Sequence, residues 1–181
     1  MFPVFLDTNA IFGAGLSDLF LTLAERGTYR PLWSAGVLDE LYDVLCRNGV
    51  EPSSVEHRIA SMRDAFPDAE VFGYESLIPQ MQCDKGDRHV LAAAVRGGAA
   101  VIVTFNLRHF PVAALAPYQV GVVHPDEFLL DQLDLYPSLV TQTVMDVPEA
   151  YEHPPVTVHE FCDLLDRSGV PRFVRAVSRL L

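Results

Sequence analysis

The chain has 181 residues, 50% of them hydrophobic, and a formal net charge of −11. Its length fits one domain, or a compact domain with a small appendage, and its apolar content supplies a sizeable core and excludes a disordered chain. Three cysteines (Cys46, Cys83, Cys162) without Cys-x-x-Cys spacing, no apolar run of about 18 residues, and no basic stretch ahead of an apolar one point to a reduced, cytoplasmic protein, neither secreted nor membrane-spanning.

In chain order, residues 3–7 open the pattern: an apolar run ending in Asp7, the mark of a buried first strand. Ser17 is expected to cap a helix whose Leu19, Phe20 and Leu23 share one face. Residues 31–33 suit a short strand or lead-in. Ser34 then caps a helix to about Arg47, with Val37, Leu41, Val44 and Leu45 as its stripe and Gly49 as its stop. A third helix opens on a capping box, Ser53 with Glu56, carries Ile59 and Met62, and ends at Pro67. Residues 70–72 suit a short strand, and 73–86 a loop with one helical turn. Asp87 begins an alanine-rich helix that Gly97 and Gly98 terminate. Residues 100–105 are uniformly apolar apart from Thr104, as in a parallel strand covered on both faces, and residues 120–124 form another buried strand halted by Pro125.

Beyond Pro125 the texture changes. Residues 126–135 and 138–147 read as helices, 149–155 as a linker, and Thr157 with Glu160 as a second capping box for a helix that stops at Gly169. Pro171 starts a last helix with Phe173, Val174, Val177 and Leu181 on one face and Arg172, Arg175 and Arg179 largely elsewhere. Alternating strands and helices predict an α/β fold with a parallel sheet over residues 1–125, and an all-helical extension over 126–181.

In parallel sheets, function gathers at the carboxyl ends of the strands. Asp7 and Asn106 each follow a strand there, and Asp87, at a helix start, enters from the same rim. Glu40 lies off the main stripe of its helix and can reach across. A carboxylate cluster of this kind repels itself by several kcal/mol at an effective dielectric of about 20, unless cations fill it. Plainer roles stay open for each residue. Asp7 and Asp87 suit helix caps, Glu40 a solvated position beside Asp39 and Asp43, and Asn106 a turn. The six histidines lack metal-binding spacing and read as solvated or core residues.

The segments Leu6–Asn9, the helix around Glu40, Asp84–Ala94 and Val103–Phe110 together resemble PIN-domain nucleases, especially the VapC-like toxins of bacterial toxin–antitoxin systems. The likeness runs in order over residues 3–124. It implies a three-layer α/β/α fold and a Mg²⁺- or Mn²⁺-dependent ribonuclease, often dimeric and paired with an antitoxin protein. Carried over by position, Asp7 and Asp87 are direct metal ligands, Glu40 binds metal or orients the attacking water, and Asn106 stands where the family often has an acid. His109 replaces an aspartate common in that segment, and Asp84 compensates as an auxiliary ligand. Thr8 and Asn9 are expected to orient Asp7, while Arg88 and Arg108 flank site residues and suit either a phosphate contact or surface solvation.

Charge fits RNA only awkwardly. Residues 126–166 carry ten acids and no Lys or Arg, while 167–181 carry four Arg and no acid. Substrate binding is therefore expected to be weak and salt-sensitive, helped by metal and a few local arginines, and a basic partner also fits. The leading expectation is a metal-dependent endoribonuclease, the toxin of a type II pair. The competing one is a catalytically weakened PIN-like RNA- or protein-binding module, given Asn106 and His109. A phosphotransferase of the haloacid-dehalogenase or receiver type is disfavoured because no second acid follows Asp7 by two residues.

Overall fold

The apolar run at the amino terminus becomes β1 (Pro3–Leu6), the middle strand of five in this computed structural model, which describes residues 1–152 and 154–181. β2 (Arg30–Ser34) and β4 (Val101–Val103) flank it, and β3 (Glu70–Val71) and β5 (Gly121–Val123) form the edges. Every neighbouring pair is parallel, in the order β3-β2-β1-β4-β5. Phe5 stands opposite Leu32 on one side and Ile102 on the other. Helices cover both faces, so Val4, Phe5, Leu6, Ile102 and Val103 lose all contact with solvent. That explains why these strands read as continuous apolar runs rather than alternating ones.

The chain builds outward from β1 to β3, then returns to the other side of β1 for β4 and β5. The switch point lies between β1 and β4, where a crevice opens beyond the strand ends. Asp7 leaves β1 there, and Thr104 to Asn106 leave β4.

Two expected helix starts differ. A short helix, α1 (Thr8–Ile11), follows β1 directly with Asp7 as its cap, and α2 (Ala14–Glu25) begins almost at once with Gly13 as its N-cap. Ser17 therefore lies inside α2, fully buried, and caps nothing. α3 (Ala35–Arg47) starts as expected: Ser34 Oγ accepts from Val37 N at 3.3 Å. It stops before Gly49, whose φ of +87° suits a left-handed helix terminus. α4 (Pro52–Ala65) forms no Ser53 capping box, because Pro52, with its preset φ, occupies the first turn and moves the cap to Glu51. α5 (Arg88–Arg96) is the alanine-rich helix, preceded by short 3₁₀ turns at Glu75–Gln80 and Lys85–Asp87. A brief α6 (Val112–Leu115), absent from the sequence reading, precedes β5.

The remaining chain is helical: α7 (Pro125–Leu135), α8 (Pro137–Asp146), α9 (Val158–Arg167) and α10 (Pro171–Val177). The expected linker at 149–155 begins in a 3₁₀ turn and includes His153, which lies outside the described residues. The Thr157–Glu160 capping box forms reciprocally, Thr157 N donating to Glu160 Oε2 at 2.8 Å and Glu160 N to Thr157 Oγ1 at 3.2 Å.

These helices pack on α2 and the start of the chain. The Phe128 ring meets Phe20 and Tyr29 at centroid distances of 5.7 and 5.1 Å. Arg26 donates to Thr143 at 2.9 Å and pairs with Asp146. Gly15 lets α9 approach α2, since a Cβ there would come within 2.3 Å of Leu164. Among the described residues, no helix is long and apolar enough to cross a membrane.

Candidate functional site

Asp7 ends β1 and is only 3% exposed. Its Oδ1 accepts from Thr8 N at 2.8 Å, so it does cap α1. Its Oδ2 accepts from Asn9 Nδ2 and from Thr104 Oγ1, both at 2.7 Å. Asn9 Oδ1 accepts from Phe105 N at 2.9 Å, and Thr104 Oγ1 from Asn106 N at 3.1 Å. These bonds stitch the carboxyl ends of β1 and β4 together and leave Asp7 no freedom to rotate. Thr8 and Asn9 thus hold Asp7 as the sequence suggested.

Glu40 projects from α3 toward the same rim. Its Oε2 accepts from Thr8 Oγ1 at 2.8 Å, and its Oε1 meets His89 Nε2 of α5 at 3.0 Å. Asp87 is the N-cap residue of α5 but makes no side-chain cap bond. Its Oδ2 instead meets His109 Nδ1 at 2.9 Å. Asp84 Oδ1 accepts from Gly86 N at 3.0 Å and caps the 3₁₀ turn. Asn106 is held through its backbone N–H on Thr104 and lines the opening.

Asp7, Glu40, Asp87 and Asn106, drawn from four separate segments, line one open cleft at the switch point, together with Phe12, Val44 and Arg47. Asp84 is not part of that lining. It belongs to a tighter group with Asp87 and His109, whose potential ligand atoms lie within 4.8 Å of one another.

The electrostatics differ from residue to residue. Burial pushes the Asp7 carboxyl above the usual range; bonds from Thr104 and Thr8 oppose this, and the Asp87 and Glu40 carboxylates add to it. Burial likewise raises Asp87, against the His109 bond. Glu40 goes the other way, held low chiefly by its bond from His89, which in turn is raised by Glu40. His89 and Glu40 therefore each favour the charged form of the other.

The donor set fits a hard dication. Asp7 and Asp87 offer carboxylate oxygens at the same opening, and each is destabilised as an anion by its surroundings. Mg²⁺ favours one or two such carboxylates plus waters. His109 on Asp87 and His89 on Glu40 act as orienting partners behind the oxygens, the arrangement that fixes metal-binding carboxylates elsewhere. Among the described residues, the Asp84–Asp87–His109 group brings its ligand atoms closest together, with His109 Nδ1 already against Asp87 and Asp84 Oδ1 accepting from Gly86 N.

Three contributors escaped the sequence reading. His89 and His109 read there as solvated or core residues, yet both pair with site carboxylates. Thr104 received no role. Its signal was present: a hydroxyl closing an apolar strand beside β1 matches Asp7 closing its own. His89 gave no such signal, because its partner lies on another helix.

A PIN-domain family model matches residues 3–108, and a model described as the VapC50 C-terminal domain matches residues 125–179. A relative from Mycobacterium tuberculosis (strain ATCC 25618 / H37Rv), named "Putative ribonuclease VapC50", is 51% identical over 112 residues. That stretch covers 62% of this chain and 66% of the relative, just under two thirds of its length. No solved structure matches the chain.

Proposed function

We propose that this chain, which belongs to the PIN-domain family, is a metal-dependent endoribonuclease that cuts RNA phosphodiester bonds, the toxin of a type II toxin–antitoxin pair. The observation that carries this reading is the convergence of Asp7, Glu40, Asp87 and Asn106 on one cleft. The name of the similar protein from M. tuberculosis, "Putative ribonuclease VapC50", supports the RNA substrate, and the resemblance to VapC-like toxins motivates the antitoxin partner.

Asp7 and Asp87 are the residues we assign as holding Mg²⁺ or Mn²⁺, with Asp84 auxiliary beside Asp87. The ion, when bound, lowers the pKa of a water and offsets charge at phosphorus. Thr104, Asn9 and Thr8 hold Asp7 in its ligating orientation, and His109 does the same for Asp87. Glu40 stays ionised beside His89 and takes the proton of the attacking water or aims that water at phosphorus. Asn106 contributes an amide donor to a phosphate oxygen, which an acid at that position cannot do. We assign residues 1–125 as the nuclease unit and 126–181 as a helical extension packed on α2. A homodimer is the assembly we expect, to be checked by light scattering.

The weakened-module reading rests on Asn106 and His109. The geometry lends it little, since His109 orients Asp87 rather than leaving a gap. Incubating single-stranded RNA with the wild type, with and without EDTA, and with Asp7→Asn tests the proposal. Mn²⁺-dependent cleavage lost in the variant is the expected result; cleavage that survives either treatment refutes the assignment.

A further inference from the structure

The cleft that gathers three carboxylates must also hold a polyanion. Among the described residues, Arg47 is the only Lys or Arg that lines it. Glu40, Val44 and Arg47 stand at i, i+4 and i+7 on α3, so they form one line along a single helix face. At a rise of ~1.5 Å per residue, Arg47 sits about 10 Å along the helix axis from Glu40. That offset puts it beyond the reacting phosphate and level with a neighbouring nucleotide.

Arg47 is exposed, and its Nε donates to Asp43 O at 3.2 Å. This anchors the guanidinium from behind. Among the described residues, no carboxylate or carbonyl closes on its two terminal nitrogens, in contrast to Arg26, Arg63 and Arg172, which all pair with acids. A guanidinium held at Nε with both outer nitrogens open presents the planar fork that binds phosphate in bidentate fashion. Phe12, also in the cleft lining, is half-buried, packs in part against the core, and follows α1, whose cap is Asp7. Its carbonyl and that of Ile11 accept from the Arg58 guanidinium, at 3.4 and 2.7 Å, which steadies the backbone behind the ring.

We infer that Arg47 and Phe12 form a flanking-nucleotide subsite for single-stranded nucleic acid, Arg47 taking the phosphate next to the one cut and Phe12 stacking on that nucleotide's base. The inference rests on the nuclease reading and adds to it where the strand runs: from the Asp7–Asp87 end of the cleft, along α3, toward its carboxyl end. Stacking on an aromatic ring tolerates any base, so this subsite gives grip rather than sequence preference. It also gives an acidic protein a cationic contact for RNA beyond the bound metal, through the one arginine among the described lining residues.

The test is fluorescence anisotropy with a short, labelled single-stranded RNA on the Asp7→Asn background, which binds without cutting, over a range of salt concentrations. Adding Arg47→Gln should weaken binding about 10-fold and reduce the log–log salt slope by about 0.7, the change expected for one phosphate contact on a single strand. Arg47→Lys should restore the slope but only part of the affinity. Phe12→Leu should weaken binding roughly 5-fold or more with the slope unchanged. In the cleaving enzyme, Arg47→Gln should raise KM while leaving kcat within about 3-fold, in keeping with a contact that treats ground and transition states alike.

Unchanged affinity and slope in Arg47→Gln, alongside wild-type cleavage that Asp7→Asn abolishes, overturns this inference and leaves the nuclease reading standing. A loss confined to kcat also overturns it, because it moves Arg47 onto the reacting phosphate. Variants that lose a protein partner but keep RNA affinity overturn it as well. If the wild type neither binds nor cuts RNA, both readings fall together.

Discussion

Asp7 and Asp126 are both nearly sealed from solvent, at 3% and 5% exposure, yet they sit in opposite kinds of surroundings. Asp126, in α7, meets only donors. Its Oδ1 accepts from Phe173 N at 2.8 Å and its Oδ2 from Arg172 N at 3.2 Å, at the start of α10. A helix N-terminus offers unpaired N–H groups and a partial positive charge, so a buried carboxylate there is stabilising. Asp7 also accepts three hydrogen bonds, but it faces the carboxylates of Asp87 and Glu40, which push its pKa the same way burial does. Burial of an acid therefore says little about function. Asp126 fastens one helix to another, whereas Asp7 is held in a charged cleft that a cation would relieve.

Substituting each residue should break that contrast in different ways. Asp7→Asn removes an assigned ligand and should reduce RNA cleavage by more than about 100-fold, the upper end of what losing only a partner behind a ligand costs. Its thermal midpoint in EDTA should match or exceed that of the wild type, because one of the crowded charges is gone. Asp126→Ala should do the reverse. It strands two backbone donors, which costs about 1–3 kcal/mol and lowers the midpoint by several degrees for a chain of this size. Cleavage per folded molecule should persist, and loss of activity in a fully folded Asp126→Ala protein would blur the distinction.

Thr104→Val keeps the shape and removes the hydroxyl that donates to Asp7. A decrease of about 10-fold in Mn²⁺ affinity is expected, with the fold intact by circular dichroism. The smallest effect is on pH dependence. The folded carboxyl of Asp7 is raised above its unfolded value, so the folded chain binds this proton more tightly. Above the raised pKa the wild type carries a penalty that Asp7→Asn lacks. As pH falls through that value toward the ordinary aspartate range, the penalty disappears. The stability difference between Asp7→Asn and the wild type in EDTA should thus narrow on acidification, as denaturant melts at several pH values would reveal. A difference that widens contradicts the assigned direction.

The sheet was largely legible because β1 and β4 are buried on both faces and read as unbroken apolar runs. Caps were legible where the local sequence alone decides, as at Ser34 and Thr157. They failed at Ser17 and Ser53, where a neighbour took control: α1 brought the next helix start forward to Gly13, and Pro52 claimed the first turn of α4. The convergence of Asp7, Asp87 and Asn106 followed from strand ends and a helix start, which topology places on one rim, and that of Glu40 from its place off the apolar stripe of α3. What holds those side chains was not legible. Thr104, His89 and His109 act across β1–β4, α3–α5 and the turn before α6, and no spacing along the chain encodes such contacts. Asp84, expected as an auxiliary beside Asp87, does stand next to it, though outside the cleft lining.

Calorimetric titration of Mn²⁺ into the wild type, Asp7→Asn and Asp87→Asn, without RNA, tests the central claim most directly. The cleft should take up Mn²⁺ saturably in the wild type, and each aspartate variant should bind at least about 10-fold more weakly. Three identical isotherms would mean that these two carboxylates do not share a cation, and the account of the cleft as a metal centre would be wrong.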